Sequence, residues 1–97
     1  MKYELDNQKL KIYLEGEINS DNSEDAEKEI NSILTKESFK SIVLDFEKMN
    51  YVSSAGIRII LKIKKQYDDL FLIKVPDMVF DIFDMVGLPN VIKIEKL

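Results

Sequence analysis

The chain has 97 residues, of which 45% are hydrophobic and 33% are charged. This is the size of one small domain with enough apolar side chains for a core, so we expect a single domain over residues 1–97. The net charge of -4 opposes direct binding to nucleic acid, because affinity for phosphates comes mainly from clustered Lys and Arg.

The first part of the chain predicts a β-hairpin followed by a helix. Apolar residues alternate with polar ones on both sides of the turn pair Asp6-Asn7, which is typical of two strands with one buried face. Gly16 is predicted to end the second strand, and residues 17–23 follow as a polar connector. A helix is predicted from Ser23 to Thr35, because its apolar residues share one stripe and acidic residues occupy its first turn.

The middle of the chain predicts a buried strand that leads into a second helix. Residues 41–46 include a continuous apolar run, which is typical of a strand covered on both faces, so we place this strand near the centre of the sheet. Residues 49–58 form a polar turn of small residues. An amphipathic helix is predicted from Ile57 to Tyr67, so that Ser53 and Ser54 lie where the strand gives way to the helix.

The last part predicts a strand at residues 70–75, a third helix, and a final strand at residues 91–95. Pro76 stops the first of these strands, Asp77 offers a helix N-cap, and Gly87 suits the left-handed end of the helix. The residues that this helix is predicted to bury are Val79, Ile82, Phe83 and Val86. The predicted fold is therefore α/β, with a mixed sheet of about five strands and about three helices packed mainly on one face.

The pair Ser53 and Ser54 is the main candidate for a functional site. A Ser just before a helix is a common N-cap, and capping explains one of the two. Ala55 and Gly56 are small, so they leave the hydroxyls exposed and the backbone approachable. A phosphate attached here would lie at the positive end of the helix dipole. The residues alone leave both a capping role and a special role open.

Five segments of the chain resemble, in order and spacing, the STAS domain of bacterial anti-sigma-factor antagonists. They are Leu-Glu-Gly-Glu-Ile-Asn at 14–19, Ile-Val-Leu-Asp-Phe at 42–46, the run around Ser-Ser-Ala-Gly-Ile at 49–61, the strand at 72–75, and residues 79–88, which end in Gly-Leu. The resemblance covers nearly the whole chain and implies the STAS fold.

The resemblance also implies a function. In this family the unphosphorylated antagonist binds an anti-sigma factor that is also a serine kinase of the GHKL type, and this binding frees the sigma factor. Phosphorylation of one Ser at the start of the second helix ends the binding, and a PP2C-type phosphatase reverses it. Alignment on Gly56 and Ile57 places the accepted serine at Ser54, with Ser53 as the second choice. The implied partner-binding residues are Glu17, Asn19, Ser20, Asp21, Ser53, Ser54, Ala55, Gly56 and Arg58.

Several residues keep two interpretations. Asn19 occupies a position where many relatives have Asp, and it either forms the turn or shapes the partner surface. Arg58, one turn after Ser54, either pairs with a phosphate or is solvated. Asp45 is expected to cap the loop to Lys48. The basic stripe Arg58, Lys62, Lys65 and the acidic stripe Asp77, Asp81, Asp84 are expected to be solvated helix faces.

Two other functions are compatible with the sequence. The main alternative is a STAS-like scaffold, or an accessory subunit of a transporter or signalling complex, that is never phosphorylated. A hydrolase is disfavoured, because the chain has no Cys and no His and therefore no thiol nucleophile, Ser-His triad or ordinary zinc site. We expect no catalytic residue, metal or cofactor. The chain start does not resemble a signal peptide and no apolar run spans a bilayer, so we expect a cytoplasmic protein without a membrane partner.

Overall fold

The computed structural model describes all 97 residues and contains five strands and three helices. The strands are β1 (Lys2–Asp6), β2 (Lys9–Ile18), β3 (Ser41–Val52), β4 (Leu70–Val75) and β5 (Lys93–Lys96). The helices are α1 (Ser23–Lys36), α2 (Ser54–Gln66) and α3 (Asp77–Met85), and a short 3-10 helix, Leu88–Asn90, precedes β5. The predicted α/β fold is confirmed.

The five strands form one mixed sheet in the order β1-β2-β3-β4-β5. β1 pairs with β2 in the antiparallel direction, whereas β2, β3, β4 and β5 are parallel to one another. Parallel neighbours need a crossover connection, and α1, α2 and α3 provide one each. β3 is the central strand, as its continuous apolar run predicted.

One face of the sheet carries the hydrophobic core. The side chains that line it are in register across the three inner strands, with Leu10, Ile42 and Leu70 in one row and Ile12, Leu44 and Leu72 in the next. These residues belong to the same buried cluster as Ile30 of α1, Ile60 of α2 and Phe83 of α3. All three helices therefore cover the same face, as predicted.

Two strands extend further than predicted. The prediction that Gly16 ends the second strand was wrong: Gly16 has φ +82°, the pairing with β3 becomes irregular beside it, and β2 continues to Ile18. The extra residue of this bulge belongs to β3, since Gly16 and Glu17 pair with Met49 and Tyr51, and a bulge bends the strands without ending them. β3 continues through Met49 and Val52, because both side chains are buried in the core and keep this segment in the sheet.

The helix ends also differ in detail from the prediction. α2 begins at Ser54, three residues before the predicted start. Pro76 rather than Asp77 is the N-cap of α3, and no side chain caps this helix. Val86 was predicted to be buried but is exposed, because α3 ends at Met85 and Val86 already lies outside its last turn. Gly87 is in the left-handed conformation, with φ +76°, as predicted.

The first turn of α2 packs closely on the ends of β2 and β3. A Cβ atom added to Gly56 would lie 2.7 Å from Cγ1 of Val52 and 3.1 Å from Cγ2 of Ile18. Val52 and Ile18 are paired neighbours in the sheet. Only a residue without a side chain allows the helix to approach this closely, so Gly56 determines where α2 begins relative to the sheet.

Asp45 and Lys11 form a charge pair on the sheet face opposite the helices. Asp45 is buried, and its Oδ1 accepts a hydrogen bond from the backbone N–H of Glu47 at 2.9 Å. The predicted loop to Lys48 is absent, because β3 continues through these residues. Its Oδ2 lies 3.6 Å from Lys11 Nζ. Burial lowers the pKa of Lys11, but hydrogen bonding and charge from Tyr13 and Asp45 outweigh this effect, so the pKa of Lys11 is raised above its ordinary value.

The raised pKa of Lys11 predicts a dependence of stability on pH. The contribution of the Lys11 charge to the free energy of unfolding is complete below the unfolded-state pKa of 10.5. It is lost as the pH rises through the raised folded-state pKa. We expect Lys11→Met to be clearly destabilised relative to wild type at about pH 8, with a smaller difference at about pH 12. Urea unfolding at both pH values measures this, with the exposed Lys40→Met as control. A difference that does not change with pH would contradict the assignment.

The packing of Gly56 predicts the effect of a single methyl group. We expect Gly56→Ala to lower the free energy of unfolding by about 1–3 kcal/mol through overpacking, despite a helix-propensity gain of up to about 1 kcal/mol. Urea unfolding measures this, and the control Gln66→Ala, exposed on the same helix, should change stability by less than about 0.5 kcal/mol. If the clash with Val52 is the cause, adding Val52→Ala to Gly56→Ala costs less than the sum of the two single changes; strictly additive costs would refute the contact.

Candidate functional site

The candidate site lies where β2 and β3 end beside the start of α2. The backbone N–H of Ser53 donates a hydrogen bond to the carbonyl of Ile18 at 2.8 Å, and Ile18 pairs with Val52 in the sheet. These contacts bring the end of the polar connector next to the serine pair. The two segments that the sequence implicated separately therefore form one surface.

The two serines have different environments. Ser53 is the N-cap of α2 and is half-buried; its Oγ accepts a long hydrogen bond, 3.4 Å, from the backbone N–H of Gly56. Its carbonyl accepts the first helical hydrogen bond, from Ile57 at 3.0 Å. Ser54 is the first residue of α2, its side chain is exposed, and its hydroxyl bonds no other protein group. Ser53 is occupied by capping, whereas Ser54 presents a free hydroxyl.

The start of α2 has a positive electrostatic character. Its first turn contains no acidic residue, so no side chain offsets the positive end of the helix dipole. Arg58 follows Ser54 by one turn, is exposed, and forms no salt bridge. An anion at the Ser54 position would meet the helix dipole and, one turn along, a free guanidinium group.

The connector between β2 and α1 is held in shape by two asparagines. Oδ1 of Asn19 accepts hydrogen bonds from the backbone N–H groups of Asp21, at 2.9 Å, and Asn22, at 3.0 Å. In return, Oδ1 of Asn22 accepts a hydrogen bond from the backbone N–H of Asn19 at 2.9 Å. Nδ2 of Asn22 donates a hydrogen bond to the carbonyl of Glu17 at 2.9 Å. Asn19 Nδ2 also donates to Glu17 Oε1 at 2.7 Å. The turn-forming role of Asn19 is therefore seen directly.

Exposed carboxylates surround the connector. Glu17 and Asp21 are exposed, as are Glu24 and Asp25 in the first turn of α1. We call these four residues the acidic rim. Glu17 is the member of the rim that joins it to the serine pair, because the adjacent Ile18, at the end of β2, bonds Ser53. The surface thus combines a neutral serine, one free Arg58 and a group of negative charges.

The structure brings together most of the predicted partner-binding residues but gives Gly56 another role. The exposed members are Glu17, Ser20, Asp21, Ser54 and Arg58, and the half-buried ones are Asn19, Ser53 and Ala55. Gly56 is buried, so it acts through the packing of α2 rather than through surface contact.

Sequence reasoning missed Tyr51. Its side chain is 45% exposed, and it pairs with Glu17 in the sheet, beside the connector. Exposed tyrosines are enriched in protein interfaces. Strand alternation would place Tyr51 on the face of the buried Met49, so the sequence pattern did not indicate its exposure; the irregular pairing of β3 with Gly16 and Glu17 turns it outward.

Other features of the surface lie away from the serines. A surface cavity of about 440 Å³ is lined by residues of β1, β2, α1 and β3, including Lys2, Tyr13 and Asp45, and neither serine lines it. No cluster of three or more acidic side chains is arranged to hold a metal ion. None of the three helices has the length and hydropathy needed to cross a membrane.

Comparisons with known proteins agree with this geometry. The STAS domain family model matches residues 2–96. BtrV of Bordetella bronchiseptica, which is named as an anti-sigma factor antagonist, is 32% identical over 82 residues, covering 80% of this chain and 70% of BtrV.

Solved structures of similar fold are anti-sigma factor antagonists as well. One from Thermotoga maritima has a TM-score of 0.87 at 18% identity, covering 99% of this chain and 86% of that protein. SpoIIAA in its unphosphorylated form has a TM-score of 0.76 at 18% identity, covering 96% and 85% of the two chains. The phosphorylated form of SpoIIAA, from Bacillus, has a TM-score of 0.64 at 17% identity, covering 96% and 90%. The protein belongs to the STAS domain family, and it shares sequence and fold with the anti-sigma factor antagonists of that family.

Proposed function

We propose that this protein is a non-enzymatic anti-sigma-factor antagonist whose binding is controlled by phosphorylation of Ser54. In the unphosphorylated state it binds an anti-sigma factor that is also a GHKL-type serine kinase, and so frees the sigma factor in the cytoplasm. A PP2C-type phosphatase restores the binding state. The observation that carries the proposal is the exposed and unbonded hydroxyl of Ser54 at the first position of α2.

The environments of the two serines support Ser54 as the acceptor. A kinase needs a hydroxyl that is free of other bonds and can enter its active site. Ser53 is half-buried, and its Oγ accepts a bond from Gly56, so its phosphorylation would remove the cap of α2. A phosphate on Ser54 leaves that cap in place. The modification can therefore change the surface without unfolding the helix.

The charges around Ser54 explain why a phosphate would change binding rather than folding. A phosphate adds a charge of about -1.5 to -2 and three acceptor oxygens. The helix dipole and Arg58 stabilise that charge locally, since no acidic residue lies in the first turn of α2. Towards the connector, however, it joins the acidic rim. A partner that fits a neutral serine beside this rim would then face a bulky group and a larger negative charge.

The relatives support the same interpretation. BtrV, which is 32% identical, is named as an anti-sigma factor antagonist, and SpoIIAA, which shares the fold, has been solved in both an unphosphorylated and a phosphorylated form. The connector supports a second part of the contact surface, because Asn19 and Asn22 fix its shape before any partner binds. We propose that the partner contacts Ser54, Arg58, the exposed tip Ser20-Asp21 and Tyr51.

Phosphate mapping tests the site of modification. After incubation of the protein with its cognate kinase and ATP, mass spectrometry should locate one phosphate on Ser54. We expect Ser54→Ala to remain unmodified, whereas the matched variant Ser53→Ala is still phosphorylated because its Ser54 hydroxyl is unchanged. Phosphate on Ser53 alone, or no phosphate in a pair that binds normally, would refute the proposed acceptor.

Calorimetric titration of the kinase tests the control of binding. We expect Ser54→Asp to weaken binding by at least about tenfold, because a negative charge replaces the neutral hydroxyl at the centre of the contact. Ser54→Ala should bind like wild type and should not lose affinity after incubation with ATP. Lys36→Asp, which makes a similar charge change at an exposed site on α1, is the control and should bind normally. Equal affinities for Ser54→Asp and wild type would instead favour a STAS scaffold that phosphorylation does not control.

A further inference from the structure

α3 carries a row of apolar side chains that its own chain does not cover. Met78, Ile82 and Met85 are spaced i, i+4 and i+7 and therefore lie on one side of the helix. Met78 is 73% exposed and Met85 is 86% exposed, while Ile82 is half-buried. Leu61 of α2 is also exposed, at 43%. We call these four residues the apolar strip.

Two charged rows of the same spacing accompany the strip. Arg58, Lys62 and Lys65 form an exposed basic row on α2, and Asp77, Asp81 and Asp84 form an exposed acidic row on α3. Each row follows the i, i+4, i+7 pattern and spans about 10 Å along its helix. Within the chain, Lys62 pairs with Glu27 and Asp77 pairs with Lys96. The other four charged residues form no salt bridge.

The contacts of α2 and α3 show how these rows are ordered across the helical layer. With this strand order, right-handed crossovers on one face of the sheet are expected to place α2 between α1 and α3. Lys62 bonds Glu27 of α1 at 3.1 Å, so it marks the flank of α2 that faces α1. Leu61 lies about 100° round the helix from Lys62, on the flank towards α3.

The flanks of α3 are marked in the same way. Lys96 of β5 lies over the Phe80 ring at 4.9 Å, so Phe80 faces the outer edge of the sheet. The acidic row comes next round the helix, and Met78, Ile82 and Met85 lie beyond it, on the flank towards α2. Across the helical layer, the inferred order is therefore the basic row, then the apolar strip, then the acidic row.

This order makes the surface complementary to itself. A two-fold axis that runs along the helices and through the apolar strip places the basic row of one copy on the acidic row of the other, and the strip on itself. A two-fold axis across the helices would instead place like charges together, which is unfavourable. Matching the rows residue by residue pairs Arg58 with Asp77, Lys62 with Asp81, and Lys65 with Asp84.

We propose that the protein forms a two-fold symmetric dimer in which the helical layers of two copies pack face to face through the apolar strip and the two charged rows. A second copy is the occupant that the surface fits, because one chain supplies both charged rows with equal spacing. The exposed methionines give the contact its apolar centre, and the charged rows give it orientation. This proposal concerns the purified chain alone and does not depend on phosphorylation or on the anti-sigma factor.

Analytical ultracentrifugation over about 1 µM to about 1 mM tests the dimer. We expect wild type to show a concentration-dependent monomer–dimer equilibrium. Lys65→Glu and Asp84→Lys each place like charges opposite one another twice in the dimer, so each should weaken dimerisation by at least about tenfold. Neither residue has a salt bridge within the chain that the change would break. Met85→Glu should weaken the dimer as well, because it places a charge in the apolar strip.

Mixing the two charge variants is the sharpest form of the test. In a mixed dimer, Glu at position 65 of one chain faces Lys at position 84 of the other, and the native Lys65 faces the native Asp84. The mixture should therefore dimerise like wild type although neither variant does so alone, a result that misfolding of the variants would not produce. The control Lys36→Glu, exposed on α1, should dimerise normally. A wild type that stays monomeric up to about 1 mM, or a mixture that stays monomeric, overturns the proposal.

Discussion

The close approach of α2 to the sheet is the constraint on which the rest of the site depends. Gly56 lies against Val52 and Ile18, and there is no room for a Cβ atom between them. Because Val52 and Ile18 are the last residues of paired strands, this contact and the Ser53–Ile18 hydrogen bond hold three elements at one point. The serine pair and the connector are adjacent only because of this junction.

At this junction one serine caps the helix, and its neighbour keeps an exposed hydroxyl. The helix needs a cap, and Ser53, at the last extended position, provides it. Ser54 is then the first helical residue, and its exposed hydroxyl bonds no other protein group. A phosphate there would be stabilised locally by the helix end while it changes the surface that a partner meets. Control of binding without loss of stability needs this separation of capping from modification.

The helical layer carries two surfaces with different physical character. The N-terminal end of α2, with the connector, is polar and is held in shape by the hydrogen bonds of Asn19 and Asn22. On the outer surface of α2 and α3 we infer an apolar strip between two rows of opposite charge. Arg58 lies in both, because it is the residue of the basic row nearest to Ser54. Occupancy of one surface is therefore expected to affect the other through this residue.

The sequence by itself determined the elements, the central position of β3 and the importance of the serine pair, because hydrophobic periodicity and capping chemistry are local properties. It did not determine that β2 continues through Gly16 or that β3 reaches Val52, since a bulge and the burial of Met49 depend on the neighbouring strands. For the same reason it missed Tyr51, and it placed Val86 in the core because it did not predict that α3 ends at Met85. Only the tertiary structure showed that Ser53 is half-buried and caps α2 whereas Ser54 is exposed and unbonded, and which helical residues stay uncovered, because both depend on how the elements pack together.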